Sequence, residues 1–288
     1  MKSSHSSPLI ARLLILAGIM LLAWVAATAL SLLLVTLGVD IQYRQTQLAL
    51  QGISQLLVFL LPALLFSRFF HRNEHFLSYS CQWIQWRQIG LGILMLIVLM
   101  PAIEAIGIWN DSWHFGGRWN IVESTLRHIT EQAQALTEQM LVMPHWTDLI
   151  WALLVVALIP AVCEEVLFRG VLQQSLQRHW GNMHVAVWTT ALVFSLCHGD
   201  LFALLPRLLL GGLLGYLFAY SKSLTVNSTV HFINNAIVVA HYYLYQHSIL
   251  HISPNDPIHF ALPTLTCCIA ATGVLFWEMR KNGKLLEK

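Results

Sequence analysis

Long apolar runs recur along the chain, near 9–38, 53–70, 88–109, 148–168, 184–205, 207–220, 225–246 and 259–278. A membrane-spanning helix needs about 20 mostly apolar residues. The pattern therefore predicts an all-α fold: a polytopic transmembrane helix bundle of about eight spans. The first run is long enough to tilt strongly or to begin on the membrane surface. The sixth, RLLLGGLLGYLFAY, has only 14 residues, which leaves open whether it crosses fully. Between the third and fourth runs lies the one sizeable polar connection, 111–147. Within it Ile121, Leu126, Ile129, Ala133, Leu136 and Met140 recur at helical spacing. They predict an amphipathic helix on the outer membrane surface, a passive element in preference to a lid. Trp109, Trp113, Trp119 and Trp146 flank it and suit an interfacial belt. The chain thus divides into N-terminal helices over 1–110, this connection, and a core with a C-terminal span over 148–288.

Composition strengthens the membrane reading. The 288 residues are 57% hydrophobic and 10% charged, where a soluble domain carries roughly 25% charged residues. No basic stripe with interleaved aromatics is present, so nucleic-acid binding has no support. With eight spans both termini share a side, and that side holds twelve of the 16 Lys and Arg residues. The positive-inside rule then puts both termini in the cytoplasm. Residues 1–8 are polar, and the apolar run after them is too long for a signal-peptide core of about 7–15 residues; a retained first helix is expected. The bacterial inner membrane is the expected location. The five cysteines show no metal spacing and are read as small buried hydrophobes.

Ionisable groups within spans are functional candidates, because burying one in lipid costs about 2.5–3.5 kcal/mol even on lenient scales. They concentrate between residues 164 and 241. Glu165 and Arg169 are i, i+4 and share a helix face, so they can pair. Glu164 lies about 100° around the helix and is left to face another element. Phe194 and His198 repeat the i, i+4 spacing in FSLCH, as do His231 and Asn235 in HFINN. A carboxylate, two imidazoles and a carboxamide can converge on a water-sized cavity. A carboxylate with an imidazole can deprotonate water, and an imidazole with an amide can stabilise an oxyanion. Glu164, His198 and His231 could instead ligate zinc, with water in the fourth position. The same groups would also serve a proton relay in a transporter. Glu104 is read as interfacial or cavity-lining, Asp200 and Arg207 as residues of the outer interface, and His241 as part of an aromatic belt.

The motifs EEVLFR at 164–169, FSLCH at 194–198 and HFINN at 231–235 fit EExxxR, FxxxH and HxxxN. In order and spacing they resemble the CAAX prenyl endopeptidase and bacteriocin-processing family (CPBP, or Abi) of intramembrane proteases. The resemblance covers about 150–245. It implies that Glu164 activates water together with His198, that His231 and Asn235 form the oxyanion site, and that Glu165, Arg169 and Phe194 support them. It implies no required cofactor in the glutamate-protease form and zinc in the metalloprotease form. The expected substrate is a membrane-anchored peptide or protein within the lipid bilayer. A non-proteolytic scaffold or immunity protein of the same fold, and a proton-coupled transporter, are the alternatives.

One requirement follows from the run boundaries. As drawn, Glu164 and His198 differ in depth by roughly 15 Å at 1.5 Å per residue, too far to share a water. The fourth helix is therefore expected to continue through GVLQQSLQRHW, with Arg169 buried.

Overall fold

The computed structural model describes residues 9–70 and 85–286, and every regular element among them is helical. The helices are α1 (Leu9–Thr36), α2 (Arg44–Phe70), α3 (Trp86–Asp111), α4 (Asn120–Met140), α5 (Trp146–Trp180), α6 (Met183–Cys197), α7 (Leu204–Ser221), α8 (Leu224–Gln246) and α9 (Leu262–Leu286). Short 3₁₀ turns at Gly117–Trp119 and Leu201–Ala203 precede α4 and α7. Six helices, α1, α2, α3, α5, α7 and α9, are long and apolar enough to cross a membrane. The apolar α6 has 15 residues, and α8 carries Asn227, His231, Asn234 and Asn235 along its length. The eight expected spans thus map onto eight helices, and α4 is the predicted amphipathic one.

Only the end of the α4 stripe packs inward, where Met140 meets Leu48 and Val155. Ile121, Ile129 and Leu136 are all exposed, and Glu123 is buried instead. An exposed apolar stripe beside a membrane bundle suits a lipid surface. Arg127 ties α4 down by donating to the backbone oxygens of Asp111 and Trp113, with its guanidinium 3.9 Å from the Phe202 ring centroid.

Contacts between connections sort into the two ends that an up-and-down bundle requires. At one end Arg44 donates to Asp148 and Asn110 bonds Leu201 and Leu205. At the other Gln85 donates to the Ser221 carbonyl and Arg87 pairs with Glu278. Lys2, Arg72, Lys288 and Cys81 lie outside the described residues.

Two span boundaries differ from those the apolar runs suggest. The fifth run, 184–205, is broken at His198–Asp200. There α6 ends, Gly199 turns at φ +70°, and the Asp200 side chain accepts from the Phe202 amide at 3.0 Å to cap the next turn. Apolar residues flank this three-residue turn on both sides, so averaged hydropathy does not register it. The sixth run, 14 residues as drawn, gains Leu204, Leu205, Pro206 and Ser221 and forms an 18-residue helix. Cys163 is buried as expected, but Cys197 and Cys267 lie on the outside of the bundle, where a lipid environment accepts them equally.

The α6–α7 contact is unusually close, and glycine makes it so. A Cβ on Gly215 would sit 2.8 Å from a methyl of Val187, and one on Gly211 would sit 3.1 Å from the Ala191 Cα. Neither space admits a side chain without movement.

Candidate active site

The fourth helix does continue. α5 runs unbroken from Trp146 to Trp180 and ends where Gly181 adopts φ +63°. Asn182 then caps α6 by accepting from the His184 and Val185 amides. This tight hairpin sets the depth of the site. Counted back from the turn, Glu164 lies about 24 Å along α5; counted forward, His198 lies about 23 Å along α6, at 1.5 Å per residue. The two residues therefore stand at the same height, and the mismatch implied by the apolar boundaries disappears. Directly after the two glutamates, residues Val166–Gln173 are wound in the wider π form, which often marks functional positions in helices.

Glu164, Glu165, Arg169 and His231 are all buried. Arg169 donates from Nη1 to Glu165 Oε1 at 2.7 Å, with neither side chain exposed. Its Nη2 donates to the Gly211 carbonyl at 3.0 Å, an approach that the missing Cβ at Gly211 permits. The neighbouring Gln173 donates likewise to the Gly215 carbonyl at 2.8 Å. Glu165 also accepts from Asn227 Nδ2 at 3.1 Å and from His231 Nδ1 at 2.9 Å. A buried charge needs a partner and satisfied lone pairs, and Glu165 has three donors.

Those bonds fix proton positions on both imidazoles. Glu165 is paired with Arg169 and acts as an acceptor, so His231 Nδ1 carries the hydrogen. Its Nε2 then points toward Glu164, 3.9 Å from Oε2. His198 Nδ1 lies 2.8 Å from the Phe194 carbonyl, which can only accept, so this ring too is protonated at Nδ1. Its Nε2 lone pair is left for chemistry. The Phe194 ring sits edge-on to both imidazoles, with centroids 4.7 Å from His198 and 6.0 Å from His231. The Arg169 guanidinium lies 5.0 Å from its centroid. Asn235 donates to the Ala157 carbonyl at 3.4 Å and accepts from Asn234 at 3.1 Å.

The structure thus brings Glu164, Glu165, Arg169, Phe194 and His231 into one contact network, with His198 at its rim and Asn235 one turn beyond His231. As placed, Glu164, His198 and His231 do not form a metal-binding group: among the described residues no three His, Cys, Asp or Glu side chains are so arranged. One participant escapes the sequence reading. Asn227 is fully buried, and its place at i−4 from His231 extends the His231–Asn235 stripe by one turn; that spacing was the available signal. Arg207, expected at the outer interface, pairs with Asp200 at 3.0 Å.

Residues 146–237 match the family model described as Type II CAAX prenyl endopeptidase Rce1-like. This segment is thus similar to the CAAX protease family. It takes in α5, α6, α7 and the first part of α8, and with them every residue of the network. Searches of curated proteins and of solved structures find no match. The chain is thus an integral, multi-pass membrane protein whose residues 146–237 resemble a CAAX protease, while α1–α4 and α9 lie outside the matched residues.

Proposed function

We propose that the protein is an intramembrane endopeptidase that hydrolyses peptide bonds of membrane-anchored peptides or proteins, in the bacterial inner membrane. Glu164 is the base. It takes a proton from a water held between its carboxylate and the His198 Nε2 lone pair, and the hydroxide so formed adds to the scissile carbonyl. His231 Nε2, in the protonated ring, and the Asn235 amide donate to the resulting oxyanion. Asn235 Nδ2 carries a second N–H besides the one on the Ala157 carbonyl, and that hydrogen serves the oxyanion. The proton then passes from Glu164 to the departing amine as the C–N bond breaks. Glu165, Arg169, Asn227 and Phe194 hold the imidazoles in place without touching substrate.

The observation that carries this reading is the pairing pattern of the two adjacent glutamates. Glu165 is neutralised by Arg169 and fixes the His231 tautomer, while Glu164 has no hydrogen bond to any protein donor among the described residues. A buried carboxylate left open beside a positioned imidazole suits general-base chemistry. No step in this reading runs through a metal.

Purified protein in lipid should cleave a membrane-anchored peptide, and a chelator should leave that activity intact. Loss on chelation with restoration by zinc would favour the metal-dependent form. Proton-coupled flux in sealed vesicles with no product peptide would oppose proteolysis altogether.

A further inference from the structure

Arg169, through the Gly211 carbonyl, and Arg207 stand one helical turn apart along α7, and only Arg169 is fully buried. On α7, residues 207, 211 and 215 are spaced i, i+4, i+8 and share a face. Gly211 meets Ala191 and Phe194 of α6, and its carbonyl receives Arg169. Arg207 therefore stands one turn beyond the Arg169 contact, toward the end of the bundle that carries α4. The neighbouring bond from Ser195 Oγ to the Leu204 carbonyl, at 2.6 Å, fixes that level beside the last turn of α6 and His198.

The position is a poor one for a cation on structural grounds alone. Arg207 sits in the first turn of α7, where the positive end of the helix dipole disfavours positive charge. Asp200 offsets this in part: Arg207 Nη1 approaches Asp200 Oδ2 at 3.0 Å and its carbonyl at 3.5 Å. Asp200 is itself held by the Phe202 amide and by Thr130 Oγ1 of α4, at 3.0 and 3.4 Å. No other hydrogen bond holds the guanidinium among the described residues. Its side chain is 31% exposed, against 0% for Arg169. Nε and Nη2 make no hydrogen bond among the described residues, and together they form the fork that grips a carboxylate with two hydrogen bonds.

We infer that Arg207 anchors a carboxylate of the substrate, an acidic side chain within about three residues of the scissile bond in an extended peptide. The assignment rests on the proteolytic reading and adds a specificity to it: Arg207 binds substrate, and Asp200 and Thr130 orient it.

The test uses the full-length protein in lipid and two membrane peptides that differ only in Glu or Gln two residues from the cleaved bond. The wild type should show a KM about tenfold lower for the Glu peptide with similar kcat. Arg207→Gln should abolish the difference by raising KM for the Glu peptide alone. Arg207→Lys keeps the charge and the Asp200 contact but loses the fork, and should retain part of the preference with wild-type thermal unfolding. Equal KM values in the wild type, or a preference that survives Arg207→Gln, would overturn the assignment while leaving proteolysis standing. Failure of the wild type to cleave either peptide would remove the proteolytic reading and this one with it.

Discussion

Arg169 and Glu165, one turn apart on α5, meet at 2.7 Å with no solvent reaching either side chain. Removing one member of such a pair leaves an uncompensated buried charge and costs about 3–5 kcal/mol, whereas replacing both with apolar groups is often neutral. Arg169→Met and Glu165→Leu should each lower the thermal unfolding temperature of the detergent-solubilised protein sharply. The double variant should recover much of the loss. Additive losses would show that the two side chains act independently.

Asn227 donates to Glu165 at 3.1 Å and to the Leu214 carbonyl at 2.6 Å. Asn227→Ala removes both bonds and should cost about 1–3 kcal/mol. Asn227→Asp keeps the shape but sets a second carboxylate against Glu165, and should be the worse of the two. Thermal unfolding of the pair checks the order; an equal or smaller loss for Asp would contradict the network as described.

Gly215 brings α7 against α6, where a Cβ would stand 2.8 Å from Val187 Cγ1 and 3.2 Å from Gln173 Oε1. Gly215→Ala should destabilise by about 1–3 kcal/mol through overpacking. Val187→Ala in the same chain opens the space and should restore part of the loss. Gly211→Ala meets the backbone of Ala191 and has no comparable side chain to trim.

Glu123 docks the start of α4. The Phe115 amide foremost, then His114 and Arg127, hold its carboxyl at about 2, well below the ordinary 4.5. A depressed folded-state value means that the carboxylate's contribution is complete above pH 4.5 and fades as pH falls through about 2. Pepsin nicking within 112–127 should therefore rise steeply over that interval in the wild type. Glu123→Gln lacks these charge-assisted bonds and should be nicked readily throughout, with no such pH step.

Much of this molecule was legible from residue order. Apolar runs located the eight bundle helices, and the i, i+4 spacing of Glu165 and Arg169 anticipated their pairing. The need for Glu164 and His198 to meet anticipated the continuous α5. The turn at His198–Asp200 was not legible, because hydropathy averages over a three-residue break flanked by leucines and phenylalanine. The hold of Glu165 on His231 was hidden for a different reason: a helix face can be read from spacing, but the azimuth of α8 against α5 is set by packing. Asn227 was overlooked because an amide near a helix end has ordinary structural uses, and Arg207 was read only as interfacial for the same reason.

The most direct test of the central claim is cleavage of a membrane-anchored peptide by Glu164→Gln, His198→Ala and the double variant, each checked for wild-type unfolding. If the two groups act together on one water, each single change should lower kcat by about 10²–10⁴-fold, and the double variant should be little slower than the slower single. Full activity in Glu164→Gln, or losses that multiply in the double variant, would contradict it.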